Sequence, residues 1–300
     1  NGHVKLYEEI SDFFSKAKAY PVTGDDALST IQLLNSFYVS DELRKWIDVR
    51  SAGDSKRLGR PDETLANLYR RAMIEHVFLR AKMFPSWNRL VLATCDNEIE
   101  AFCQRKNIPV IMTGDHHTRA LDRVAEAVER LGTAVIDDDI IVCVQGDEPM
   151  MRPDMIDAVI EPLRSNPEIP CTVLAMHIVE KSIWLNPDTV KLIHNEAGEV
   201  LYTSRSPVPY CKGEFSSDLM ARRIYGIFAF RWKYLKAFTN HPETRLEKLE
   251  SCDSNRILDM AFSQYIAPYP YIRSFSVDSK SDIHLVETYM IADDIWSTYK

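Results

Sequence analysis

Two carboxylates, Asp147 and Glu148, follow Gln145 and Gly146 directly after an unbroken apolar run, Ile140-Ile141-Val142-Cys143-Val144. An amide and two adjacent acids around a flexible glycine make a set of hard oxygen donors. Such a set suits Mg²⁺, which commonly arrives with substrate phosphates. The run before them is mostly β-branched and reads as a central strand buried on both faces. In open α/β sheets, ligands bind at the carboxyl end of such strands. Gly-Asp-Glu-Pro after a strand also suits an ordinary solvated turn, so the rest of the chain has to decide between the two. A second set, His116-His117, suggests a metal only weakly, because adjacent side chains rarely aim at one ion; a polar loop is the better reading.

The elements that must position this strand alternate. Met73 to Phe84 reads as a helix, Arg89 to Thr94 as a strand, Asn97 to Lys106 as a helix and Pro109 to Thr113 as a strand. Thr118 to Leu131 is an amphipathic helix with Leu121, Val124, Ala125, Val128 and Leu131 on one face. The central strand follows, and then a helix from Pro153 to Ser165. This alternation predicts a mainly parallel sheet. Later strands are expected at Cys171 to His177, Val190 to His194, Val200 to Thr203 and Ile224 to Phe230, with Asn195-Glu196-Ala197-Gly198 as a hairpin turn. Helices are expected at Lys233 to Phe238, Arg245 to Met260 and Ser281 to Trp296, with a strand at Phe275 to Asp278. Ahead of all this lie two amphipathic helices, a short strand at Trp46-Ile47-Asp48-Val49, and a basic loop from Arg50 to Leu65. The expected division is an N-terminal helical segment over 1–70 and an α/β domain over 71–300.

The chain has 300 residues with 45% hydrophobic and 27% charged content, enough to bury a real core. A net charge of −8 without a basic tract argues against a nucleic-acid partner. The apolar runs are too short to span a bilayer, and no signal-peptide pattern is present, so no membrane partner is expected. Six scattered cysteines without a Cys-x-x-Cys fit free thiols in a reducing cytoplasm.

From Met73 onward the chain resembles the sugar-acid cytidylyltransferases, most of all their 3-deoxy-manno-octulosonate branch. The residues that carry this are Val144-Gln145-Gly146-Asp147-Glu148-Pro149-Met150, Asn186-Pro187 with Val190-Lys191, Tyr202-Thr203-Ser204-Arg205 with Pro209, Gly226-Ile227-Phe228-Ala229-Phe230-Arg231, Leu246-Glu247 with Glu250 and Arg256, and Val277-Asp278. The resemblance implies a Rossmann-like α/β nucleotidyltransferase fold with an N-terminal helical appendage. It implies that the enzyme couples CTP to a Kdo-like sugar acid with release of pyrophosphate, for cell-surface polysaccharide synthesis, as a homodimer. It further implies that Asp147 and Asp278 hold Mg²⁺, with Asp147 catalytic, and that Gln145, Arg205 and Glu247 contact the sugar acid. Asn186 and Lys191 are as readily structural as substrate-binding.

Two stretches depart from the family pattern. The family's His-x-Ser-Gly-Thr-Asp-Arg reads here His117-Thr118-Arg119-Ala120-Leu121-Asp122-Arg123. Asp122 and Arg123 keep an implied nucleotide-binding role, and the small residues between have been replaced. The family's triphosphate loop finds its nearest match in Val49 to Pro61, where Arg50, Ser55 and Lys56 would bind nucleotide and Arg57 and Arg60 would act in catalysis. Residues 3 to about 70 also resemble the C-terminal end of a glucose–fructose oxidoreductase or inositol-dehydrogenase type protein, through Pro21-Val22-Thr23-Gly24-Asp25-Asp26-Ala27, Trp46-Ile47-Asp48-Val49 and Arg57-Leu58-Gly59-Arg60-Pro61-Asp62. That second likeness implies an alternative: a fusion whose transferase domain lacks its phosphate loop and serves binding or oligomerisation.

Overall fold

Strand β5 (Ile140–Val144) hydrogen-bonds antiparallel to the ten-residue β9 (Arg222–Arg231), with Val144 opposite Ile227. The structure is a computed structural model and describes residues 67–69, 71–277 and 280–300. The expected N-terminal helices, the strand Trp46 to Val49, the basic loop, and Asp278 lie outside the described residues.

The other edge of β9 pairs antiparallel with β6 (Cys171–His177), and β6 pairs parallel with the edge strand β10 (Gln264–Tyr269). The first residues of β9 pair with β7 (Lys191–His194), which forms the expected hairpin with β8 (Val200–Ser204). Strands β5, β6 and β10 therefore share one direction, as helix–strand alternation demands, while the long β9 runs against them and makes the pairing mixed. A separate parallel pair is formed by β3 (Leu92–Thr94) and β4 (Val110–Met112), and a short antiparallel one by β1 (Asn67–Leu68) and β2 (Arg71–Ala72).

The helices that follow these strands end where local chemistry ends them. Helix α1 (Met73–Lys82) precedes β3. Helix α2 (Asn97–Lys106) starts on an Asp96 carboxylate that accepts from the backbone N–H groups of Glu98 and Ile99, and stops at Asn107 in the left-handed region. Helix α3 (Ala120–Glu129) leads toward β5. Helix α4 (Pro153–Ser165) has proline at its first position and buries Met155, Ile156, Val159, Ile160 and Leu163 against β6, β9 and β10. Each such side chain contributes roughly 1.5–3 kcal/mol of transfer free energy. Helix α5 (Lys181–Leu185) leads into β7, and α6 (Trp232–Asn240) follows β9.

Four differences from the sequence reading have physical causes. The single helix expected over Arg245 to Met260 is two, α7 (Arg245–Glu250) and α8 (Asp253–Asp259), because Ser251 adopts a left-handed φ of 50°. The closing helix is likewise α9 (Lys280–Met290) and α10 (Asp294–Ser297), the latter capped by Asp293. Strand β10 was not expected; it contains Pro268, which an edge strand tolerates because one row of N–H groups is not needed for pairing. Strand β5 is not buried on both faces: only Cys143 is fully buried, since the whole run lines a cavity of about 1130 Å³ walled also by α1, β3 and α3. Among the described residues no helix is long and apolar enough to cross a membrane. All six cysteines are free, and four of them are buried.

Candidate active site

The carboxyl end of β5 opens onto a cleft of about 280 Å³. Gln145, Asp147 and Glu148 enter it from β5, Thr118 and Arg119 from the segment leading into α3, and Arg205 from the loop after β8. Arg223 and Gly226 enter from β9, Asp253 from α8, and Ser276 from the segment before α9. The larger apolar cavity shares Gln145 and Asp147 with this cleft and adds Gly146 and Arg123. The turn that begins at Gln145 is fixed by backbone chemistry. Gln145 N–H donates to the Gly226 carbonyl at 2.8 Å, and Gly226 N–H donates to Glu148 Oε1 at 3.0 Å. Ser276 Oγ donates to the same carboxylate oxygen at 2.8 Å, and Val277 N–H donates to the Asp147 carbonyl at 2.9 Å. The chain just before Asp278 is thereby tied to Asp147. Asp278 itself lies outside the described residues.

Gly226 is required at its position by close approach. A Cβ there would stand 2.6 Å from Gln145 Oε1, and 3.0 Å from both Gln145 Cβ and Glu148 Cγ. Gly226→Ala is therefore expected to displace Gln145 and Glu148 together and to lower kcat/KM about 10²-fold, the usual effect of a misplacement near 1 Å. Steady-state kinetics on a variant with an unchanged circular dichroism spectrum would check this; parental kcat/KM would mean that neither side chain needs its present place.

Glu148 is only 3% exposed, and its second oxygen, Oε2, is buried and makes no hydrogen bond among the described residues. The nearby Tyr225 hydroxyl pairs with Ser274 Oγ at 2.6 Å. Burial, and next the neighbouring Asp147 charge, push the Glu148 carboxyl up to about 7 against the opposing pull of Arg223. Burial pushes Asp253 up to about 6, with Glu247 and Asp122 adding to the rise and Arg119 opposing it. Both folded-state values lie above the ordinary carboxyl value, so the native state holds protons that the unfolded chain releases. That stabilisation is complete below about pH 4 and is lost as pH rises through 6 to 7. The thermal midpoint of metal-free protein is expected to fall between pH 5.5 and 8, and Glu148→Gln to flatten part of that fall. An unchanged slope in the variant would remove Glu148 from the account.

The sequence-derived residues separate into distinct groups. Gln145, Asp147 and Arg205 converge on the cleft. Arg205 is also a loop fastener: its Nε donates to the Glu250 carbonyl at 2.9 Å, and its two terminal nitrogens donate to the carbonyls of Pro187, Asp188 and Ser251. Arg123 holds the segment before α3, donating to Thr113 Oγ1 at 2.7 Å and to the carbonyls of Gly114 and His117 at 3.2 Å. Asp122 and Glu247 stand behind the cleft wall. Both Glu247 oxygens accept from Arg256, at 2.7 and 2.8 Å, and both Asp122 oxygens accept from it at 3.0 and 3.1 Å. Glu247 is fully buried and closes a capping box with Thr244. Arg50, Ser55, Lys56, Arg57 and Arg60 lie outside the described residues.

The open choice for Lys191 and Asn186 falls to structure. Buried Lys191 Nζ donates to the carbonyls of Asn186, Thr189 and Arg205, and Asn186 Oδ1 accepts from Asp188 N–H at 2.9 Å. Burial lowers the Lys191 ammonium to about 8. Sequence reasoning missed Arg119, Arg223 and Asp253. Arg223 lies over the Tyr225 ring and donates to the Ser274 carbonyl at 2.9 Å. Arg119 Nε stands 3.5 Å from both Glu243 and Glu247 and 3.7 Å from Asp253. Arginine where the family pattern has a small residue was the one available signal for Arg119.

A mixed-charge cleft at a strand end, with two adjacent acids and three arginines facing it, can bind an anionic substrate and a hard cation together. A cytidylyltransferase family model matches residues 49–264. The 3-deoxy-manno-octulosonate cytidylyltransferase of Nitratidesulfovibrio vulgaris (strain DP4) is 34% identical over 228 residues, which cover 75% of this chain and 88% of the relative. The enzyme of the same name from Oleidesulfovibrio alaskensis is 32% identical over 234 residues, covering 78% and 91%. A solved CMP:2-keto-3-deoxy-manno-octonic acid synthetase complexed with CTP superposes with a TM-score of 0.68 at 27% identity, covering 78% of this chain and 93% of that one.

Proposed function

Since this chain belongs to the cytidylyltransferase family, we propose that it couples CTP to a 3-deoxy-ulosonic sugar acid of the manno-octulosonate type, giving the CMP-sugar and pyrophosphate. The observation that carries this reading is the convergence of Gln145, Asp147, Glu148, Arg205 and Arg223 on one cleft at the carboxyl end of β5.

The anomeric hydroxyl of the sugar attacks the α-phosphorus in line, and the bond to pyrophosphate breaks. Such a transfer needs positioning and charge stabilisation more than covalent help. Arg205, whose other N–H groups fasten the loop, offers its one remaining N–H and its positive charge to the sugar carboxylate. Gln145, held by Gly226, donates to a sugar hydroxyl. Asp122 and Glu247 act through Arg256 as positioning residues, and Arg123 by fastening the loop at the nucleotide side. The family match begins at Val49, so it takes in Arg50, Ser55, Lys56, Arg57 and Arg60. This supports a triphosphate role for that loop over the reading of a fusion without one.

The donor set fits Mg²⁺: the oxygens are carboxylates, and a buried Glu148 oxygen has no hydrogen bond beside the Asp147 charge. Asp147 and Asp278 would hold the ion; Val277, the residue before Asp278 in the sequence, donates its N–H to the Asp147 carbonyl. When bound, it would neutralise phosphate charge and favour the ionised hydroxyl. The same family reading carries a cytoplasmic homodimer serving cell-surface polysaccharide synthesis, and light scattering tests the dimer.

Pyrophosphate release from CTP and Mg²⁺ with a panel of 3-deoxy-ulosonic acids tests the activity. Turnover with one of them, abolished by chelation and restored by Mg²⁺, is the expected result. No turnover with any sugar and no CTP binding by calorimetry would overturn the reading and leave the non-catalytic alternative.

A further inference from the structure

We propose that His116, His117 and Glu126 form a binding site for a borderline divalent cation of the Zn²⁺ class, separate from the hard-cation site at the end of β5. Adjacent histidines ordinarily point apart. Here the turn at Asp115 and His116 folds both rings to one side, with centroids 4.1 Å apart. His117 Nε2 pairs with Glu126 Oε2 on α3. One ligand atom from each of the three residues lies within 4.8 Å of the others. A tetrahedral ion with bonds near 2.1 Å holds its donors about 3.4 Å apart. Small side-chain rotations close that difference. Two imidazole nitrogens and one carboxylate oxygen are a donor set for Zn²⁺, Co²⁺ or Ni²⁺ rather than Mg²⁺.

The set is braced from behind. Glu126 Oε2 accepts from Gly114 N–H at 2.9 Å, and Glu126 Oε1 pairs with Arg130. Outer contacts of this kind fix the orientation of a ligating carboxylate. The His116 ring packs against Gly114 so closely that a Cβ there would stand 2.4 Å from its Cε1 and Nδ1. His116 itself is exposed, which gives an ion a path in and leaves a coordination position for water. The loop runs straight into Thr118, Arg119 and Ala120, which line the cleft, and Arg123 holds its backbone. A bound ion would therefore stiffen one wall of the cleft.

Calorimetric titration of the untagged, chelator-stripped chain with Zn²⁺ in excess Mg²⁺, paired with the visible spectrum of the Co²⁺ form, tests the site. One equivalent is expected to bind, with d–d bands of low coordination number. His116→Ala and Gly114→Ala should each weaken binding about tenfold or more, with an unchanged metal-free circular dichroism spectrum. Retention of the full equivalent by the His116→Ala/His117→Gln double variant, or parental affinity in His116→Ala, would overturn the assignment. So would the absence of stoichiometric binding by the parent.

Discussion

Asp147→Asn is expected to lower kcat about 10³-fold at saturating CTP and Mg²⁺, the rate equivalent of the several kcal/mol that a well-placed cation supplies. The substitution keeps size and shape and removes one charge. The main-chain hydrogen bond from Val277 to the Asp147 carbonyl does not depend on the side chain, so the turn should persist. The concentration of Mg²⁺ needed for half activity should rise together with the fall in kcat. An independent readout comes from Glu148, whose raised carboxyl value owes its second-largest cause to the Asp147 charge. In Asp147→Asn, the loss of thermal midpoint with rising pH should become smaller, though it should not vanish, because burial remains the first cause. Parental kcat in this variant would refute the metal role of Asp147, and an unchanged pH slope would refute its coupling to Glu148.

Arg256→Met is expected to cost about 3–5 kcal/mol of folding free energy, the usual result of removing one partner from a buried ion pair. Arg256 is 1% exposed and Glu247 is fully buried. Four charge-assisted hydrogen bonds join this guanidinium to Glu247 and Asp122, and so tie α7 and α8 to α3. Its face also rests on Phe238, 4.1 Å from the ring centroid. Methionine fills much of the volume but leaves two acids without their cation. Adding Glu247→Gln and Asp122→Asn should recover a large part of the loss, since much of it is the penalty for unpaired charge. Urea denaturation with unchanged m-values measures both steps. A loss below about 1 kcal/mol would mean that the two acids are solvated in the native state. Because Arg119 and Asp253 stand on the elements joined here, the cleft should also lose affinity before the fold is lost.

Much of the fold was legible because hydrophobic period records which face of an element is buried. The amphipathic α3, the apolar β5 run, proline at the start of α4 and the Asn-Glu-Ala-Gly turn all lie where their local chemistry requires. The first half of the site was legible for the same reason, since Gln145 to Glu148 follow a strand that ends abruptly. The boundaries that failed did so for causes without a period. Left-handed Ser251 splits one helix into two, and Pro268 hid an edge strand that tolerates it.

Sequence alone determined the α/β order, the strand end that carries Asp147 and Glu148, and the family resemblance. Tertiary structure decided which charges face the cleft and which are buried to build it. Arg256 meets Asp122 across 134 positions and Arg223 meets Ser274 across 51, and no local pattern encodes such pairings. Glu247 read as a sugar contact and is found buried under Arg256, while Arg223 read only as part of a strand and is found in the cleft. The reason is physical: burying an ion requires a specific counter-ion, and only the packed chain supplies one. The same holds for His116 and His117. Their adjacency argued against a shared ion until a two-residue turn and a bare Gly114 brought both rings beside Glu126.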